Sequence, residues 1–325
     1  MALAWNMSSI EDDESLATRA AWLHFIGGLT QGEVATRMNI QSVKAHRLIA
    51  RANRDGLIRV FIDGEVAECV ALEDKLRSLY GLALCEVAPT VDLDPFPLRS
   101  LGMLGARFLR AALEKRDDPV IGLGHGRTLA ACINQLPRTK AGGTRFVSLL
   151  GGFTRKFEAN PFDVINRVAE RTDAETYVMP LPFVLNSAED RAILMAQKGI
   201  EAVFDLAREA SLKFVGIGTT DGGDASLTAS GMIERCEMTA IKQAGARGEI
   251  LGHFFDDRGK RVETDLSART MSLSFEDLAR GKLVAVAGGQ AKPAAIRAIL
   301  ASGLLHGLLT DERTARSLVD LSPDP

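Results

Sequence analysis

A chain of 325 residues is longer than one average domain and predicts two. Its 25% charged and 46% apolar residues are the balance of a soluble globular protein, and its net charge of −3 says little until it is divided along the chain. The four cysteines, Cys69, Cys85, Cys132 and Cys236, include no CxxC pair, and no His pair has metal-ligand spacing. Both facts argue against a zinc site or a disulfide framework and fit a reducing cytoplasm.

Residues 1–14 read as a poorly ordered tail, acidic where a signal peptide is basic. No apolar run approaches the ~20 residues of a membrane span, so no membrane partner is expected. Residues 15–64 read as a first domain. Between 15 and 60, Arg19, Arg37, Lys44, Arg47, Arg51, Arg54 and Arg59 face only Glu33 and Asp55, a local charge of +5 that leaves −8 for the rest. A compact basic segment on an acidic body is the footprint of a nucleic-acid reader.

The pattern inside that segment predicts three helices. Leu16, Ala20, Leu23 and Ile26 recur at helical spacing and stop at Gly27-Gly28, with Trp22 and Phe25 assigned to the core. Thr30 with Glu33 is a capping-box pair that restarts the chain as a second helix. After a turn at Asn39-Ile40, "QSVKAHRLIARANRDG" forms the third. At about 100° per residue, Ala45, Leu48, Ile49 and Ala52 share an arc of roughly 100°, while Lys44, Arg47, Arg51 and Arg54 share an opposite one of about 80°. Three helices with a tight turn between the last two describe a helix-turn-helix that docks on double-stranded DNA. Ser42, Val43, Lys44, His46 and Arg47 are the candidates for base or near-base contact, with Gln31 at the start of the second helix. Arg51 and Arg54 lie further along and fit phosphates. "GLIRVFID", residues 56–63, alternates like a short strand.

Residues 65–325 read as an α/β domain, with strands at 84–88, 119–123, 145–150, 176–180, 213–217 and 283–287 and one more in "GLLHGLLTD". Four of them run into glycine: "IGLGHGRT", "SLLGGFT", "VGIGTTDGG" and "VAVAGGQAK". Ligands sit beyond the carboxyl ends of such strands, where glycine lets backbone amides approach an anion. No dinucleotide fingerprint, GxxxxGK[ST] loop, GxSxG elbow or HExxH helix accompanies them, so no cofactor is expected. "TDERTARSLV" reads as a capped helix rather than a carboxylate site.

Over nearly its whole length the chain resembles the SorC family of sugar-responsive transcription regulators. The resemblance rests on "LTQGEVATRMNIQSVKAHRLIARANRDGLI" and, in order, "GHGRT", "LLGGF", "GIGT", "GHFFDDRG", "VAVAGGQAK" and "LLTDERTA". It implies a Rossmann-like effector domain related to ribose-5-phosphate isomerase and glucosamine-6-phosphate deaminase, and a homo-oligomer, dimer or tetramer. It also implies an effector site at Gly124, Gly126, Arg127 and Thr128, at Gly151 and Gly152, at Asn160, at Asp256, and at Gly288, Gly289 and Lys292. Gln41 and Ala45-His46-Arg47 depart from the family's reader pattern, so operator sequence does not carry over. His125 stands where relatives often have an aromatic residue. The finer likeness is to regulators of polyol catabolism, of the erythritol type. The expectation is a cytoplasmic repressor of a carbohydrate or polyol catabolic operon, relieved by a sugar, polyol or sugar phosphate, and not an enzyme. The rival is a sugar-phosphate isomerase or deaminase with an accessory DNA module, which needs an acid/base pair that no motif supplies.

Overall fold

The computed structural model of the protein describes residues 14–55, 57–58, 66–91, 95–154, 162, 164–221 and 226–321. The chain divides into two compact units, Met1–Asp63 and Gly64–Pro325. Nearly all of the expected tail, and the strand expected at 56–63 apart from Leu57 and Ile58, lie outside the described residues.

Three helices make the first unit. α1 (residues 14–21) passes into a wider π turn at Trp22–Ile26 and stops at Gly27. α2 (Gln31–Met38) begins with the reciprocal pair that its sequence predicts. The Glu33 amide donates to Thr30 Oγ1 at 3.3 Å, and the Thr30 amide donates to Glu33 Oε2 at 2.7 Å. The Thr30 amide, and then its hydroxyl, hold the Glu33 carboxyl below its usual range. Asn39 ends α2 in the left-handed region at φ 53°, and α3 (Ser42–Arg54) follows at once. Ala45, Leu48, Ile49 and Ala52 of α3 are buried with Val34 and Ala35 of α2 and Ala17, Ala20 and Ala21 of α1. That is the face set by the angular spacing. Trp22 and Phe25, in contrast, are 63% and 46% exposed, so their assignment to this core is corrected. The small alanines take the buried side of α1 instead, and the π turn carries the bulky residues outward.

The strands of the second unit are β1 (Leu84–Ala88), β2 (Val120–Leu123), β3 (Arg145–Ser148), β4 (Thr176–Tyr177), β5 (Leu212–Gly216), β6 (Gly218–Thr219), β7 (Gly248–Ile250), β8 (His253–Phe255), β9 (Arg261–Val262), β10 (Lys282–Val286) and β11 (Gly307–Asp311). Its helices are α4 (Ala67–Tyr80), α5 (Leu98–Lys115), α6 (Arg127–Gln135), α7 (Ile165–Thr172), α8 (Ala188–Met195), α9 (Lys198–Glu209), α10 (Ser226–Ala229), α11 (Arg235–Gln243), α12 (Asp265–Arg269), α13 (Phe275–Leu278), α14 (Pro293–Ala301) and α15 (Glu312–Asp320). Among the described residues a seven-stranded parallel sheet runs in the order β1-β11-β10-β5-β2-β3-β4. Each of the seven strands expected between 84 and 311 is present in it.

This order contains a switch point. From β2 the chain steps through α6 to β3, toward one edge; from β5 it steps to β10 and β11, toward the other. Parallel crossovers keep one hand, so connections that step in opposite directions leave from opposite faces. A crevice therefore opens beyond the carboxyl ends of β2 and β5. A second, antiparallel sheet, β6-β7-β8-β9, grows from β5 across a single residue, Ile217. It is absent from the sequence reading, because strands of two or three residues carry no measurable alternation.

Two buried polar devices fix the sheet ends. Lys213 on β5, fully buried, donates to the carbonyls of Ala210 (3.2 Å) and Arg280 (2.5 Å), and burial lowers its pKa. Asp311 caps α15: Oδ1 accepts from the Thr314 amide (3.1 Å) and Oδ2 from the Thr314 hydroxyl (2.6 Å). The same Oδ2 accepts the Gly289 amide at 3.0 Å, tying the loop after β10 to β11. Asp311→Ala leaves both amides without that carboxylate. A loss of about 2–3 kcal/mol is expected from urea unfolding, against a few tenths for Asp320→Ala at the exposed end of the same helix.

Candidate functional site

At the switch point the second unit holds a pocket of about 510 Å³ of empty space, mouth included. It is lined by Phe96, by residues 125–129, by Leu150, by residues 216–218, and by Leu227, Glu249, Leu251 and Lys292. All four glycine crests thus contribute lining residues.

The first crest supplies the anion-facing wall. Gly126 is the N-cap of α6 at φ 127°, a conformation that side chains rarely adopt, and it turns the chain straight from strand into helix. The leading amides of α6 have no carbonyl of their own helix to bond, and this first turn lines the pocket. The Arg127 guanidinium lies 4.8 Å from the Phe96 ring centroid, and Lys292 Nζ lies 5.6 Å from the same ring. Two cations share one aromatic ring, worth about 0.5–1 kcal/mol each in such settings. His125 Nδ1 is sealed from solvent with no hydrogen-bond partner, and burial takes its pKa down to about 4. The ring is therefore neutral at physiological pH, with a nitrogen able to meet a ligand hydroxyl.

The third crest is the joint between the two sheets. Lys292, buried, donates to the Ile217 carbonyl at 2.5 Å. Gly218 pairs directly with Glu249 across the β6–β7 ladder, and a Cβ at 218 would run into Glu249 Oε2. Glycine there makes room for a buried carboxyl. Glu249 Oε1 accepts the Gly252 amide at 2.6 Å from the β7–β8 turn. In that turn Leu251 sits in the left-handed region at φ 49°, beside Gly252 at φ 83°. A two-residue hairpin of this twist prefers Asn-Gly, so Leu251 holds a strained backbone of about 1–2 kcal/mol, and its side chain lines the pocket.

Burial pushes the Glu249 carboxyl up to about 7, against the pull of the Gly252 amide and of Lys292. Burial brings Lys292 down to about 8, with Arg127 helping and Glu249 opposing. This is the acid/base pair whose absence counted against an enzyme. It was missed because Glu249 belongs to a three-residue strand, although a lone acid in "ILG"-type apolar surroundings ("GEILG") was a readable signal.

Of the expected effector residues, Gly126, Arg127, Thr128 and Lys292 come together here. Gly124 lies behind the wall, packed near Leu251 and Leu129. Gly151 is buttressed by the Leu181–Pro182 backbone, and its amide donates to Met271 (2.8 Å); neither it nor Gly152 lines the pocket, whereas Leu150 does. Gly288 and Gly289 stand against Asp311, and Gly289 lines a neighbouring cleft with Pro89, Thr90 and Arg313. The Gly289 amide is spent on Asp311 and on Thr314 Oγ1 (2.9 Å), and the Gln290 amide on Pro95 (3.1 Å), so this crest is not an open anion cradle. Asp256 also stands apart from the pocket. Its Oδ1 accepts the Arg258 (3.0 Å) and Lys260 (2.8 Å) amides, which makes it the turn residue of the β8–β9 hairpin, outside the pocket. Asn160 lies outside the described residues.

In the first unit Ser42, Val43, Lys44, His46 and Arg47 are all exposed on α3. Gln31 Oε1 and His46 Nδ1 lie 3.1 Å apart, joining the start of α2 to α3. Arg51 bonds Asp55 at 3.1 Å, and Arg54 approaches the same carboxylate at 3.6 Å. The basic stripe therefore ends in an acid that holds its last two arginines, leaving Lys44 and Arg47 as its leading part.

Residues 64–320 match the family described as "Putative sugar-binding domain". The chain is 54% identical over 307 residues to the erythritol catabolism regulatory protein EryD of Brucella abortus, covering 94% of this chain and 97% of that one. It is 25% identical over 313 residues to the deoxyribonucleoside regulator of Bacillus subtilis, covering 95% and 98%. The full-length sorbitol operon regulator SorC of Klebsiella pneumoniae superposes with a TM-score of 0.68 at 24% identity, over 95% of this chain and 99% of that one. No described helix is long and apolar enough to cross a membrane.

The raised Glu249 pKa has a stability consequence. Between the ordinary carboxyl range and pH 7 the folded state holds a proton that the unfolded chain has released, so this term falls as pH rises. Glu249→Gln removes the term. Its melting temperature relative to the parent protein is expected to be higher at pH 8 than at pH 5, and a pH-independent difference would contradict the assignment.

Proposed function

The chain belongs to the SorC family of sugar-binding transcriptional regulators, and from that premise we propose that it controls a polyol catabolic operon by binding operator DNA through α3 under the command of a polyol effector. The observation that carries this reading is the pocket at the switch point. It offers a helix N-terminus, two cations, a neutral imidazole and a buried carboxyl to a small, hydroxyl-rich ligand. The 54% identical relative is named for erythritol catabolism, which supports a four-carbon polyol as the first effector to test.

In the reader, Lys44 and Arg47 are the residues nearest base edges, with Ser42, Val43, His46 and Gln31 around them and Arg51 toward the phosphates. Operators bound by such readers repeat at half-sites about one helical turn apart, so the working form is a homodimer or tetramer. Effector changes operator affinity only as far as it prefers one arrangement of the readers, and the expected sign is relief of repression.

One observation favours the enzymatic rival: Glu249 and Lys292 form a buried acid and base in one cavity. The relatives it matches are nevertheless named as regulators. Catalytic turnover of a four-carbon sugar phosphate that is lost in Lys292→Ala would favour the rival.

The test is a titration of promoter DNA from a polyol catabolic operon of the same genome with the full-length protein. Arg47→Ala is expected to weaken operator binding tenfold or more, the equivalent of about 1.4 kcal/mol. The same variant should keep the full thermal shift with erythritol, which reaches about 2.7 kcal/mol at a hundred times the dissociation constant. Unchanged operator affinity across salt concentrations would remove α3 as the reader.

A further inference from the structure

The Lys292 amine is unusual for a ligand clamp. It is buried, and the Ile217 carbonyl is its one hydrogen-bond acceptor among the described residues, where an ammonium has three N–H groups to place. Glu249 stands across the ladder from Gly218, the residue after Ile217, with its Oε2 where a Cβ at 218 would lie. The two do not close to ion-pair distance (4.0 Å), although both line the cavity. An amine and a carboxyl that line one cavity without being bonded to each other are both available to a ligand held there.

We propose that Lys292 captures the carbonyl carbon of an open-chain aldose or ketose as a reversible iminium, with Glu249 carrying the protons. The inference rests on this pocket being the effector site. Oxidation of a polyol to a carbonyl is the class of reaction that supplies such a ligand, so the sensor would register the product of that step covalently and the polyol itself by contact alone.

The step balances without a redox partner. The Lys292 ammonium first gives a proton to the Glu249 carboxylate. The Nζ lone pair attacks the carbonyl carbon while the Glu249 carboxyl protonates the carbonyl oxygen, giving a carbinolamine with a cationic nitrogen. That nitrogen returns a proton to Glu249, which then protonates the hydroxyl, and water leaves. The net change is ammonium plus carbonyl to iminium plus water, and hydrolysis reverses it. The iminium keeps a single N–H, which the single Ile217 carbonyl can accept. Desolvation and a neighbouring cation are the two devices that free a lysine amine for this chemistry, and Lys292 has both, with Arg127 the cation. With its pKa brought to about 8, roughly one amine in ten is unprotonated at pH 7.

The full-length protein is incubated with D-erythrose, L-erythrulose or, as the carbonyl-free control, erythritol, each with sodium cyanoborohydride, and the adducts are mapped by mass spectrometry. The expected result is a reduced adduct on Lys292, the mass of one sugar less water plus two hydrogens, formed at least tenfold faster than on exposed lysines. Erythritol should give none. Glu249→Gln should slow capture about tenfold and remove the limb of its pH profile near pH 7. A thermal shift with erythrose but no Lys292 adduct in the parent protein overturns covalent capture and leaves the sensor reading standing. No shift with any of the three and no adduct overturns both. An adduct that forms as fast in Lys292→Arg, folded by circular dichroism, also overturns the proposal.

Discussion

The pairing of Gly218 with Glu249 across a two-rung ladder is the contact on which the pocket depends. A parallel sheet with a switch point makes a crevice, but a crevice open to solvent has no means of perturbing a carboxyl or an amine. The short antiparallel sheet supplies the missing wall. It leaves β5 at Ile217, returns through β7, and sets Glu249 opposite a residue with no side chain. The strained Leu251 turn then folds an apolar side chain over the space and points the Gly252 amide back at Glu249. Each element is small, and each is needed to bury the next.

The electrostatics follow from that burial. The wall of α6 contributes a helix N-terminus and Arg127, β10 leads to Lys292, and among the described lining residues Glu249 alone is acidic. An electron-rich ligand relieves this imbalance, whether its oxygens belong to hydroxyls, a carbonyl or a phosphate. Phe96 bears on the same point. With both cations over its ring, it keeps them gathered at the mouth rather than extended into solvent. The acid and base that make the site look enzymatic are, in this account, what makes it a selective receptor.

Much of this was legible before any coordinates. The strands of the large sheet, the capping box at Thr30–Glu33, the buried face of α3 and the capped helix at 312–320 all follow from periodicity and cap chemistry. So does the convergence of Gly126, Arg127, Thr128 and Lys292, because strand ends in an open α/β sheet must meet. Three features do not follow from periodicity. Glu249 and Leu251 lie in strands and turns too short for a period. Asp256 and Gly289 look like ligand groups in sequence, yet their hydrogen bonds are satisfied locally, by a hairpin turn and by Asp311. Trp22 and Phe25 have the composition of core residues, and a one-residue change in helical pitch is enough to turn them outward.

The central claim, that effector is held between the first and third crests, is tested most directly by hydrogen exchange on the full-length protein with and without saturating erythritol. Slowed exchange at peptides covering 125–129, 216–218 and 249–252, with 256–260 unchanged in the first seconds, is the result this account predicts. Protection centred on the Asp256 hairpin or on the cleft beside Gly289, with none at 125–129, would contradict it.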